Sequence, residues 1–197
     1  MRRIAIFFLK KSQLVIDRSL YKWLGCNGSE RKIMILDSAE LAAERVRKLY
    51  WNGLFPIDPV KIAASMGVKV LKSELPPEVS GAIIKQQGQD AIIYLSADDS
   101  DQRKRFTCAH ELGHFYQHLG DDKIGYVDLR HDTLSAAASQ PEEIFANQFA
   151  AHLLMPETEI KRRCRDSKVE LTAYFGVSAE ALKYRLMNLK IKHPEFE

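Results

Sequence analysis

Residues 106–120 read FTCAHELGHFYQHLG, and the spacing inside this stretch decides both a local structure and a chemistry. His110, His114 and His118 recur every four residues, and Glu111 follows the first of them. At 3.6 residues per turn, residues four apart lie one above the other on a single helix face. HELGH is therefore an HExxH pattern: two imidazoles facing one ion, with the glutamate between them aimed at that ion's water as a general base. His118 stands apart. It lies eight residues from His110, about 12 Å along the axis at 1.5 Å per residue, whereas a Zn–N bond is about 2.0 Å. One ion bridges a single turn and not two. His118 is expected instead to cap the helix end or to sit behind the ligands, where positive charge is favoured.

A hydrolytic zinc site takes three protein ligands and keeps one position open. The extended pattern HExxHxxGxxH requires glycine at 117 and histidine at 120, but the chain has Gln117 and Gly120. The third ligand must come from another element. Residues 140–156, QPEEIFANQFAAHLLMP, place Ile144, Phe145, Phe149, Leu153 and Leu154 at helical spacing and offer Glu142 and Glu143. Glu143 is the choice. Asn147 follows it by four on the same face, placed to orient a ligating ring through its other nitrogen. Glu142 is rotated by about 100° and faces Ala146. His131, Asp132 and His152 are weaker substitutes, and His152 reads as a packing histidine in an apolar helix. Two histidines and a glutamate suit zinc, with manganese as the alternative.

Outward from the motif, the pattern is helical, then β-rich, then helical. Asp37-Ser-Ala-Glu40 resembles a capping box, and Leu41, Ala42, Val46, Leu49 and Tyr50 supply an apolar face behind it. Asp58-Pro59 starts a second helix, with Val60, Ile62 and Ala63 inward and Gly67 as its stop. VKVLKSEL (68–75), SGAIIKQ (80–86) and AIIYLS (91–96) read as strands, the last two joined by a QGQD turn. The motif helix is predicted from about Ser100 to His118. Residues 170–175 and 178–190 form two short helices joined by GVS. The class is α+β, with a small antiparallel sheet.

The 197 residues are 46% hydrophobic and 28% charged, a globular balance. The net charge of +3 is uneven. Residues 1–35 carry eight Lys/Arg against Asp17 and Glu30, so the rest is net acidic. This basic leader reads as a solvated extension before the linker GCNGSERK (25–32). The apolar run IAIFFL (4–9) ends at Lys10-Lys11 with no small-residue cleavage site, and no run approaches the ~20 residues of a spanning helix. A cytoplasmic protein with no membrane contact is the expectation. Cys26, Cys108 and Cys164 are odd in number and widely spaced, against a disulfide framework or thiolate zinc. Cys108 reads as a buried structural thiol.

RFTCAHELGHFYQH followed by EEIFANQFAAHLLMP resembles the ImmA/IrrE metallopeptidases, a gluzincin-like group, and PIDPVKIAASMGVKV, SGAIIKQ and AIIYLS resemble that family's lead-in. The likeness runs from about residue 38 to 156, more weakly to 190. It implies a zincin-like fold with the HExxH helix, a second ligand helix and a short C-terminal helical hairpin. It implies His110, His114 and Glu143 as metal ligands, Glu111 as base, and Asn147 on the family's Asn of E-x-x-A-N. Cys108 departs from the family, which usually has another residue there. The organisation expected is a basic extension (1–35), a zincin-like peptidase domain (36–156) and a helix-turn-helix-like subdomain (157–197). Such proteins are typically intracellular peptidases linked to phage, mobile elements and stress responses, some paired as toxin and antitoxin. They cut Xre-type helix-turn-helix repressors, so the resemblance implies a protein substrate and a part in transcription regulation.

The chemistry expected of this chain is hydrolysis of a peptide bond, with the strand AIIYLS receiving the substrate as an added β-strand. Tyr126 and His131, read as loop residues between the ligand helices, are the candidates for stabilising the oxyanion. The rival reading rests on LTAYFGVSAEALKYRLMNLK (171–190), which has helix-turn-helix rhythm and carries Lys183, Arg185 and Lys190. It makes the protein a DNA-binding or toxin-like regulator with a structural metal site. Ala181, Leu182, Leu186 and Leu189 argue instead for a packing face.

Overall fold

The computed structural model describes residues 37–129 and 140–196. The basic leader, His131 and Asp132 lie outside them. Helix α1 (Ala39–Tyr50) is capped by Ser38, whose hydroxyl accepts from the Leu41 amide. Asp37, one residue earlier, is used across the fold: it pairs with Arg45 at 2.9 Å and accepts from the Tyr116 hydroxyl at 2.9 Å. The buried stripe of α1 is Ala39, Ala42, Ala43 and Val46, whereas Leu41 and Leu49 are exposed. The apolar face expected from the sequence is thus displaced toward the small residues. Small side chains let two helices approach closely, and α1 lies directly against the helix Pro141–Leu154. Helix α2 (Pro59–Ser65) follows its Asp58 cap as read, with Ile62 and Ala63 buried but Val60 exposed.

Four strands form the sheet: β1 (Lys69–Ser73), β2 (Val79–Lys85), β3 (Ile92–Ser96) and β4 (Ile124–Leu129), in the order β1-β3-β2-β4. The β2–β3 hairpin pairs Ile84 with Ile92 around a turn containing Gly88. β1 runs parallel to β3, while β2 is antiparallel to both its neighbours, so the sheet is mixed rather than wholly antiparallel. β4 occupies ground that the sequence reading left as loop. β3, expected to receive substrate, has both its edges taken by β1 and β2. Among the described residues β4 is an edge strand, and it is the edge that touches the helix Asp101–Gln117.

Helix α3 (Asp101–Gln117) starts at its Ser100 cap and runs under β2 and β3. From Thr107 to Tyr116 it is buried on every side. Two glycines make this depth attainable. A Cβ on Gly81 would stand 2.4 Å from Thr107 Cγ2, so only glycine lets β2 lie this close to α3. A Cβ on Gly113 would stand 2.9 Å from Ala146 Cα, so α3 touches the backbone of α4 (Pro141–Leu154). α5 (Glu157–Arg162), α6 (Lys168–Phe175) and α7 (Ala179–Asn188) complete the chain. α6 opens with a reciprocal Ser167–Glu170 capping box and ends at left-handed Gly176. Leu171, Phe175, Val177, Leu182 and Leu186 join the same apolar core as the peptidase-like helices. No described helix is long and apolar enough to cross a membrane.

Candidate metal centre

α3 and α4 touch at Gly113 and Ala146, and that contact sets the side chains above it face to face. His110 and His114, one turn apart on α3, bring their Nε2 atoms to 3.1 Å. Glu143, in the first turn of α4, reaches both: Oε2 lies 3.3 Å from His110 Nε2 and Oε1 lies 3.2 Å from His114 Nε2. Both imidazoles are buried, and the carboxylate is about a quarter exposed, at 23%. One donor atom from each residue falls within a common 4.8 Å.

The donor set fits a metal ion on two grounds. Tetrahedral arms of about 2.0–2.1 Å place neighbouring donors about 3.3–3.4 Å apart, close to the separations here. The proton inventory points the same way. His110 Nδ1–H donates to Asn147 Oδ1 at 3.1 Å, which leaves a lone pair on Nε2. A neutral His110 therefore turns a lone pair toward the Glu143 carboxylate at 3.3 Å, two acceptors that a cation or a captured proton reconciles. The titration tendencies show that competition in the metal-free chain. Burial pulls His110 down, but the Glu143 carboxylate, helped by Glu111 and Asp128, overrides it and raises the imidazole to about 9. Burial pushes Glu143 up, but hydrogen bonds from the two imidazoles hold it at about 2. His114 is lowered by burial.

Glu111 lies fully buried between the two ligand positions, and neither of its oxygens has a hydrogen-bond partner among the described residues. Burial raises its carboxyl to about 8. Its floor is Gly81, whose Cα carries nothing that would displace Glu111 Oε1. Of the residues singled out from sequence, the structure brings His110, His114 and Glu143 together and sets Asn147 against the His110 ring. Glu142 points elsewhere, as its 100° offset requires.

The remaining candidates fall outside the donor set. His118 caps α3, and its Nδ1 pairs with Asp121 Oδ2 at 2.8 Å. His152 sits against Arg185, whose terminal nitrogens lie 3.1 and 3.4 Å from its ring nitrogens. Cys108 is fully buried, and burial pushes its thiol up, as suits a structural side chain. Tyr126 belongs to β4 and stacks on His114, with centroids 4.1 Å apart and planes 6° apart. The sequence reading missed Asp128 altogether. It is mostly buried, accepts from Thr107 Oγ1 at 3.4 Å and lies 3.7 Å from Arg103 Nη2. Arg103 in turn donates to Ser80, at the irregularity where β2 shifts register. The signal was present in IGYVDL: alternation puts Tyr126 and Asp128 on one face and Gly125 and Val127 on the other.

A family model described as Peptidase_M78, IrrE N-terminal-like domain, matches residues 63–187. That span covers both ligand helices, all four strands and most of α7. A comparison with curated proteins finds no match.

Proposed function

The chain belongs to the peptidase family of IrrE N-terminal-like domains, and from that premise we propose that it is a zinc-dependent endopeptidase acting on a partner protein inside the cell. One observation carries the reading: two imidazoles and a carboxylate converge at 3.1–3.3 Å beside a buried glutamate that has no other partner. His110, His114 and Glu143 would hold the ion, with Asn147 fixing the His110 ring. When bound, a divalent cation supplies a Lewis acid for the scissile carbonyl and acidifies a water. Glu111 takes the proton of that water. Its burial suits the task, since raising the carboxyl makes the carboxylate a stronger base toward that proton, which then goes to the leaving amine nitrogen. β4 replaces β3 as the strand that would receive an extended substrate, because it is the edge beside the site.

The family resemblance favours an Xre-type repressor or antitoxin as that substrate. The donor set favours zinc over manganese. Residues 157–196 serve in this reading as a helical appendage to the peptidase domain rather than a DNA reader. Arg185, one of the three basic residues that suggested DNA contact, is turned inward and donates to the Met155 carbonyl at 3.0 Å. The test is incubation of the purified full-length chain with the repressor encoded beside its gene, with and without chelator. Cleavage that stops on chelation and returns with added zinc supports the proposal. An intact repressor under all conditions removes that substrate, and cleavage unaffected by chelation removes the metal mechanism.

A further inference from the structure

The two ligating imidazoles are supported differently. Asn147 fixes His110 through a hydrogen bond. His114 has no such support: its Nδ1 is buried and finds no partner among the described residues. What it has is the ring of Tyr126, lying parallel at 4.1 Å. Tyr126 is itself held at its far end. Its hydroxyl donates to Glu142 Oε2 at 2.8 Å and lies 2.7 Å from His118 Nε2, and His118 is anchored on Asp121.

Glu142 is the residue next to Glu143 in the chain. Tyr126 therefore touches a ligand of α3 with its face and the ligand-bearing turn of α4 with its hydroxyl. That turn has no side-chain cap of its own, since Gln140 makes no capping hydrogen bond. Gly113 and Ala146 fix the crossing of the two helices below the site, and Tyr126 links the same two helices above it. We propose that Tyr126 is a positioning residue for the metal centre, bracing His114 by stacking while its hydroxyl, through Glu142, sets the distance of the α4 carboxylate. The inference rests on the reading of His110, His114 and Glu143 as ligands. It assigns to Tyr126 a purpose distinct from stabilising an oxyanion, since its hydroxyl is already committed to Glu142.

The experiment is metal binding by the full-length chain, read as Zn²⁺ affinity against a chromophoric chelator and as the visible spectrum of the Co²⁺ form. Outer partners of metal ligands are worth about 10–100-fold in affinity. Tyr126→Phe, which keeps the stack, should weaken binding about tenfold. Tyr126→Ala should approach the upper end of that range and alter the Co²⁺ bands, because His114 is freed to rotate. Glu142→Ala should match Tyr126→Phe, and the double variant should be no worse than either single one. Unchanged affinity and spectrum in Tyr126→Phe and Tyr126→Ala, whatever their melting temperatures, would overturn the inference, as would full additivity with Glu142→Ala. A wild-type chain that takes up neither metal overturns the ligand reading itself, and this inference with it.

Discussion

Two regions of this molecule bury charged side chains equally deeply and treat them in opposite ways. In the C-terminal helices, Arg185 is 3% exposed, and its guanidinium meets the Met155 carbonyl and the His152 ring. Where α3 and α4 meet, Glu111 is 0% exposed and both its oxygens are unpartnered among the described residues. Folding alone selects against the second arrangement, because an unpaired buried carboxyl costs more than any contact it makes. The first arrangement holds a structure together. The second is the arrangement expected of a residue kept for chemistry, and it accords with the proposed role of Glu111 beside the His110, His114 and Glu143 cluster. The contrast can be broken by substitutions that exchange the two behaviours.

The largest effect belongs to Glu111→Gln. On the proposed mechanism, removing the base should lower substrate cleavage by about 10²–10⁴-fold while the Zn²⁺ stoichiometry stays at that of the wild type. The same change should stabilise the metal-free fold above pH 8. The sign follows from linkage: a carboxyl raised from 4.5 to about 8 withdraws stability as pH rises through that window, and glutamine does not titrate. A variant that is inactive and also less stable at pH 9 would return Glu111 to the structural class. Next comes Glu143→Ala, which should weaken metal binding by more than the ~10–100-fold an outer partner costs. Elemental analysis showing unchanged metal content would move the third ligand elsewhere.

The convergence of His110, His114 and Glu143 was legible in advance because its determinants are local. His110, Glu111 and His114 follow from the pitch of one helix, and Glu143 with Asn147 from the pitch of another. The crossing that unites them was legible only as a requirement of the chemistry, yet Gly113 and Ala146 are the residues that permit it. What could not be read was non-local. Strand order is fixed by pairing between distant segments, so AIIYLS looked available when it is interior, and IGYVDL, short and interrupted by Gly125, looked like loop. The same limit explains Leu41 and Leu49. Periodicity locates an apolar stripe, but the partner chose the alanines beside it because α4 comes close.

A smaller effect separates the regions by pH. In the metal-free chain burial pulls His110 down but the Glu143, Glu111 and Asp128 carboxylates raise it from 6.5 to about 9, and burial pushes Glu143 up but His110 and His114 lower it from 4.5 to about 2. Their pairing contributes stability that is full between about pH 4.5 and 6.5. It is lost as pH rises through 9, or falls through 2. Below pH 9 an incoming cation must displace the His110 proton, so metal affinity should rise about tenfold per pH unit toward 9 and then level. The melting temperature should therefore fall with pH for the metal-free chain while the increment from Zn²⁺ grows. Parallel curves, measured calorimetrically, would show that no ligand proton is exchanged.

The smallest effect is the most discriminating for the comparison. Arg185→Met removes a buried cation that has no carboxylate within ion-pair distance among the described residues, and burial already lowers its guanidinium. Relief of that desolvation favours the variant. Against it stands the Met155 carbonyl, which ends α4 and loses its donor, at about 1–3 kcal/mol for an orphaned buried acceptor. His152 loses a neighbour but keeps the Arg47 hydrogen bond to its own carbonyl. The orphaned carbonyl should win, because methionine fills the space of arginine without offering an N–H. The melting temperature should drop by a few degrees, while Zn²⁺ affinity and cleavage remain those of the wild type. Loss of metal binding in Arg185→Met would mean that the end of α4 is coupled to the turn bearing Glu143, and that the two regions are one mechanical unit.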